Sequence, residues 1–339
     1  MARNRGLGCG RSAKAFVSGA LLAGWLFVPS ALRADASSAI QTAQRQINAG
    51  NYTAAITTLQ AAVPGNPSDA DLFYWLGRAY YEVRDWDSAV AQGEKSISLN
   101  AKSSLYHQWL GREYGGKADR DRSFSLAKKV KAEFKQAVAL DPSNIAARRD
   151  LEEYCLDAPW IAGGSKDEAL EQVNGIAAVD PVAGHLARAL YDREGLKSND
   201  DAESEIREAL AAKPQSADSY FEAADFYRQL NKPADIETTL QAAARMAPTD
   251  PRLAYFRGVS GVLSNSNLPD AERDLKSYLA STPDRSDWPS HAAAREWLGR
   301  LYELQGKRAD AAEQYREALQ LEPKRKEAKS RLEKLGKSQ

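Results

Sequence analysis

Cysteine is almost missing from these 339 residues, with Cys9 and Cys155 the two present. Two thiols, one of them in a leader-like N-terminus, make no disulfide framework, and neither belongs to a Cys-x-x-Cys pair. Histidine is nearly as scarce. His107, His185 and His291 have no partner at i+4 and no metal-ligand spacing. Neither Gly-x-Ser-x-Gly nor His-Glu-x-x-His occurs. Net charge is lacking too: 46 Lys and Arg balance 46 Asp and Glu, which excludes the basic footprint of a nucleic-acid binder. With no metal site, no cofactor motif and no catalytic constellation, the chain reads as non-enzymatic and cofactor-free.

The longest apolar run, residues 15–28, is shorter than the roughly 20 residues of a membrane span. Arg3, Arg5, Arg11 and Lys14 precede it, and no acid appears before Asp35. Pro29 breaks the run, and Ser30, Ala31, Ala34 and Ala36 follow. A basic front, an apolar stretch and small residues, in that order, form a secretory signal, with cleavage expected after Ala34 or Ala36. Leu7-Gly8-Cys9 imitates a lipoprotein signal but lies before the apolar stretch rather than after it. Cleavage after Ala34 removes five bases and no acid, leaving acids in excess by five. The mature protein is therefore expected in the periplasm or outside the cell, with no membrane span.

What the chain does have is repetition. WLGRAY at 75–80, WLGREY at 109–114 and WLGRLY at 297–302 are nearly one word, and the first two lie 34 residues apart. Segment 50–67 carries Gly50, Tyr52, Ala55, Leu59, Ala62 and Pro67, and segment 306–323 repeats the spacing with Gly306, Ala311, Tyr315, Ala318 and Pro323. Further prolines at 142, 181, 214, 248 and 283, with Ala101 in one slot, continue the series at intervals of 33 to 41 residues. On these residues the chain resembles the tetratricopeptide repeat (TPR) family, whose 34-residue unit is a pair of helices.

The resemblance implies an all-α, right-handed superhelical solenoid. Eight repeats are expected, at 36–69, 70–103, 104–144, 145–182, 183–216, 217–250, 251–285 and 286–325, with residues 326–339 as a capping helix. That divides the chain into a signal peptide (1–34), a repeat array (35–325) and a cap. Each unit follows from simple physics. Leu76, Gly77 and Tyr80 share one helical face, glycine lets the second helix approach closely, and proline stops that helix. One pair cannot bury its apolar stripe, so neighbours must stack. Gly93 and Ser96 are expected to weaken the second helix of the second repeat. In the seventh, Gly258 and Pro283 disagree about register by one residue.

Two segments imitate chemistry. Residues 111–118 nearly spell a phosphate loop but lack its Ser/Thr, so Gly115 and Gly116 are read as ending a helix before an inserted loop. The insertion at 158–165 ends in Gly-Gly-Ser-Lys. It is either a capping box, with Ser165 capping and Glu168 reaching back, or an anion site at a helix N-terminus. Its Pro-Trp-Ile tip is expected to touch a neighbouring repeat or a partner. Acidic pairs such as Glu152-Glu153 are read as solvated faces.

On a helical wheel Trp75 and Arg78 fall opposite the packing residues. In the family, first helices line the concave surface and bind peptides. The resemblance therefore implies a groove of Tyr74, Trp75, Arg78, Tyr81, Gln108, Trp109 and Arg112, with Trp297 and Arg300 as a distant rung. The other reading is that the tryptophans fill gaps between first helices, with arginine stacked over them. Where the family's peptide-carboxylate clamp uses Lys and Asn, this chain has Tyr74 and Arg78.

The expected function is a protein-interaction scaffold of the cell envelope, binding a peptide or partner protein in the groove. Two alternatives remain. One is an exported carbohydrate-active enzyme on a helical-hairpin toroid, and the other is a membrane-tethered assembly factor that keeps its signal. A solenoid is expected to leave its first and last repeats far apart, and a toroid to bring them together.

Overall fold

The computed structural model describes residues 35–337; the predicted signal segment and Cys9 lie outside the described residues. Seventeen α-helices follow one another with no strand among the described residues. The first eight are α1 (Ala36–Asn48), α2 (Tyr52–Ala62), α3 (Ala70–Glu82), α4 (Trp86–Leu99), α5 (Ser104–Asp121), α6 (Phe124–Leu140), α7 (Ile145–Asp157) and α8 (Lys166–Val179). Then come α9 (Pro181–Leu190), α10 (Asn199–Ala211), α11 (Ala217–Gln229), α12 (Pro233–Met246), α13 (Arg252–Ser264) and α14 (Leu268–Ser281). The last three are α15 (His291–Leu304), α16 (Arg308–Leu321) and α17 (Lys326–Lys337). A π-helical turn, Tyr191–Gly195, extends α9.

Local sequence starts and stops these helices. Side chains of Asp69, Asp85, Ser103, Ser123 and Asn144 accept the free N–H groups of the helices they precede, as caps should. Inside the first and last hairpins the turn takes a left-handed residue, Gly50 and Gly306, each at φ 74°. Each odd helix packs antiparallel on the next even one, and α17 closes the series on α16, with Ala328 fully buried. From α1 to α15 every odd helix also touches the next odd helix, while even helices make no comparable contact with each other. A stack whose one layer is the closer curves toward that layer, so the odd helices form the inner wall of a solenoid.

Several expectations are corrected here. Gly115 and Gly116 do not end a helix: α5 runs on to Asp121 and stops at Arg122, in left-handed conformation (φ 51°). Gly116 is needed inside the helix because a Cβ there would lie 2.5 Å from the Trp86 ring. Gly93 and Ser96 are not weak points but buried packing positions, and a Cβ on Gly93 would collide with the Glu113 carboxyl from α5. Ser165 does cap α8, but Glu168 does not reach back. Its carboxylate takes Lys131 at 2.9 Å and Lys135 at 3.3 Å instead. The register conflict in the seventh repeat has a physical source. Gly258 packs on Leu275 in the hairpin, whereas Pro283 belongs to a nine-residue connection, 282–290, between α14 and α15.

The ends of the array are not far apart. Tyr52 Oη donates to the Asp284 carbonyl at 2.8 Å, across 232 residues of sequence. Arg84 Nη1 donates to the Leu321 carbonyl at 3.1 Å, across 237. The superhelix has coiled through enough of a turn for its seventh and eighth hairpins to meet its first three. Helix-on-helix packing still follows chain order; loops and side chains make the long-range contacts.

Candidate functional site

The inner wall encloses a cavity of about 1160 Å³, bounded by the first four hairpins and by Arg285, Ser286 and Asp287 of the 282–290 connection. Arg78 and Tyr81 reach it from α3, Trp109 and Arg112 from α5, and Asp150, Glu153 and Asp157 from α7. One helical turn separates successive members on each helix, which puts them on one face.

The predicted groove residues divide into three groups. Arg78, Tyr81, Trp109 and Arg112 line the cavity. Tyr74, Trp75 and Gln108 stand behind them. Tyr74 is buried, stacked on Tyr106 at 5.3 Å and edge-on to Trp75 and Trp109 at 5.2 and 6.3 Å. Gln108 is buried and donates to Asp150 Oδ2 at 2.8 Å. Trp297 and Arg300 do not share this wall. Trp297 is buried in the core of the later hairpins with Arg300 stacked 3.9 Å above its ring.

The two arginines differ. Arg112 gives Nε and Nη2 to the two oxygens of Asp150, at 2.8 and 2.9 Å, so its charge is met within the protein. Arg78 lies between two indoles, 4.7 Å from the Trp75 ring and 4.1 Å from the Trp109 ring. Its Nε is buried without a hydrogen-bond partner, and among the described residues no carboxylate comes within ion-pair distance. Stacking fixes the guanidinium plane while leaving its in-plane donors unused by a carboxylate.

Sequence reasoning missed the acidic side of the site. Asp150, Glu153 and Asp157 lie at i, i+3 and i+7 of a first helix, and that spacing was the available signal. Burial holds the Glu153 and Asp157 carboxyls above the usual range, and neighbouring carboxylates add to it. Glu152, expected on a solvated face, is 0% exposed with both oxygens unpartnered, and burial pushes its pKa up to about 8. Nothing in a sequence of paired acids tells which one turns inward. Among the described residues no group of three His, Cys, Asp or Glu could hold a metal ion, and no helix is long and apolar enough to cross a membrane.

The insertion at 158–165 forms the cavity's far rim. Tyr154 Oη ties it down by sharing its one proton between the carbonyls of Ala127 and Ala162, each 2.7 Å away, and Lys131 Nζ holds Gly163 O at 2.6 Å. Its tip does not pack on a neighbouring repeat: Trp160 is 86% exposed and Ile161 54%.

Curved stacks of antiparallel hairpins with an inner odd layer define a class, the helical-repeat solenoids. The model of the tetratricopeptide repeat matches residues 40–104, 186–251 and 259–326, and the chain belongs to that family. The unmatched stretch between the first two segments is the one that supplies α5 to α8, and with them much of the cavity wall. Among solved structures it is similar to a chain of the APC/C hetero-tetramer Cut9–Hcn1, with 11% identity, a TM-score of 0.50, and 88% of this chain matched to 55% of that one. This chain therefore spans just over half the length of that relative. It is also similar to a tetratricopeptide repeat protein from Parabacteroides merdae, with 15% identity, a TM-score of 0.50, and 78% of this chain matched to 98% of that one. Both likenesses are likenesses of fold. No curated protein matches the sequence. The fold is in general that of a protein-interaction scaffold, typically without catalysis.

Proposed function

We propose that this protein is an exported, non-enzymatic scaffold of the cell envelope that binds an extended segment of a partner protein in the concave cavity. The observation that carries the reading is Arg78: a cation clamped between Trp75 and Trp109 on a cavity wall, without an ion-pair partner. An extended peptide offers what this wall takes, namely backbone carbonyls and carboxylates for the guanidinium and apolar side chains for the aromatic rings. Affinity capture from the envelope fraction tests it. Arg78→Ala is expected to lose the captured protein while giving up only the small stability of its stacking, roughly 0.5–1 kcal/mol; undiminished capture rejects the site.

Export is the second part of the proposal and rests on residues 1–34. Residues 1–36 fused to a reporter active only outside the cytoplasm are expected to give activity. A reporter that stays silent because it remains inside the cell defeats it, and the mass of the exported chain distinguishes cleavage from a retained anchor.

One observation favours the carbohydrate-active enzyme as a second reading. The array's ends meet, and Glu153 and Asp157, one turn apart in the cavity, are both held toward their protonated forms by burial. Glycan turnover that disappears in Glu153→Gln would establish it.

A further inference from the structure

The connection between α14 and α15 is longer than its counterparts and is built as a hook. Asp284 Oδ1 accepts the His291 N–H at 2.9 Å, and Arg285 grips Asp287 through two bonds of 2.8 and 2.6 Å. Trp288 lies under Arg252 and Arg285, at 5.1 and 4.6 Å, and Tyr278 Oη donates to Pro289 O at 2.5 Å. The loop is therefore braced by α13, α14 and α15, the helices on either side of it.

Its outer edge lands on the start of the chain. Pro283 abuts Gly50, where any side chain would collide with it. Tyr52 Oη donates to Asp284 O at 2.8 Å, and Ser286 gives its N–H and hydroxyl to the Glu82 carboxylate at 3.1 and 2.8 Å. A second patch lies one hairpin on. Arg84, with φ 59°, donates to Leu321 O, and Lys324 Nζ meets Asp119 Oδ1 at 2.7 Å. No helix interface and no shared apolar core joins these surfaces. The seam is one Pro283–Gly50 contact, one part-buried hydrogen bond and a few exposed hydrogen bonds and ion pairs, each individually weak, so it is easier to part than the stack on either side. Arg285, Ser286 and Asp287 also face the cavity, so the hook is one of its walls.

The geometry points to residues 282–290 as a releasable latch that closes the superhelix on itself and gates the cavity. Closed, it forms one wall of the cavity and sets Asp287 in the same lining as Arg78. Open, it lets an extended segment enter from the side and reach Arg78. The gating role rests on the cavity being the partner site, whereas latching itself does not.

Spin labels at Asn51→Cys and Ser281→Cys, in full-length Cys9→Ser protein, read the seam directly; Cys155 is buried and can stay. Both label sites are exposed and next to the contact. The wild-type background is expected to show a short-distance population. Tyr52→Phe with Ser286→Ala and Lys324→Glu is expected to lose it, with faster amide exchange at 284–287 and unchanged helicity. Lys324→Glu alone, at an exposed site, is the milder variant and should shift the same population partway. A distance distribution that is already long in the background, or one that none of these changes moves, overturns the latch. No partner takes part, so failure here leaves the proposed binding standing. Loss of capture with an intact latch does the reverse.

Discussion

Arg112 and Asp150 form a two-pronged pair on the cavity wall, Nε to Oδ2 at 2.8 Å and Nη2 to Oδ1 at 2.9 Å, with Gln108 on the same carboxylate. Thirty-four residues earlier, at the equivalent position of the repeat, Arg78 has two indole faces and no carboxylate. The same word thus builds one structural arginine and one available one.

That difference predicts unequal mutants. Arg112→Ala leaves a largely buried Asp150 with Gln108 but no counter-charge and is expected to cost about 1.5–3 kcal/mol of stability, measured by urea unfolding. Arg78→Ala loses its stacking and its contact with Tyr74 but strands no carboxylate, and is expected to cost less, roughly 0.5–1 kcal/mol. Equal losses would mean that Arg78 has a partner of its own.

Neighbouring glycines in α5 predict opposite signs. A Cβ at Gly115 meets nothing within 4 Å, so Gly115→Ala should gain about 0.5–1 kcal/mol from helix propensity. At Gly116 it meets Trp86, and Gly116→Ala should lose about 1–3 kcal/mol through overpacking. Thermal melts of the two variants check the order.

Gly77→Leu should also destabilise by about 1–3 kcal/mol, because a Cβ at Gly77 falls 2.5 Å from Glu113 Oε1. The obstacle comes from the next hairpin rather than from the facing helix alone.

Glu152 predicts a pH dependence. Its folded pKa, about 8, lies above its ordinary value of 4.5, so the native state holds the proton more tightly than the unfolded chain. The contribution is full below about 4.5 and is lost as pH rises toward 8, with a slope of at most about 1.4 kcal/mol per pH unit. Glu152→Gln should flatten the fall in melting temperature over that window. An unchanged slope would place the proton elsewhere.

Trp160 and Ile161 are exposed at the rim, so Trp160→Ser should leave stability within about 0.5 kcal/mol of wild type. Reduced capture by this variant would extend the partner's footprint from the cavity onto the 158–165 loop.

The helical hairpins, their order and their stacking were legible because each depends on neighbours in sequence. Aspartate and serine caps, small residues on facing stripes and terminating prolines act over one or two turns, and a repeat reads its neighbour by the same code. Insertions blurred that code: Gly115 and Gly116 read as a stop although Trp86, from another helix, makes one of them fit inside α5. Periodicity also put Arg78 opposite the packing residues, and the resemblance to the repeat family implied that this face, with Arg112, is the inner one. Tertiary structure decided which of them finds an aspartate, that Glu152 turns inward while Glu153 faces the cavity, and that Tyr52 meets Asp284. Those outcomes depend on small rotations accumulated over many hairpins, and no local spacing records their sum.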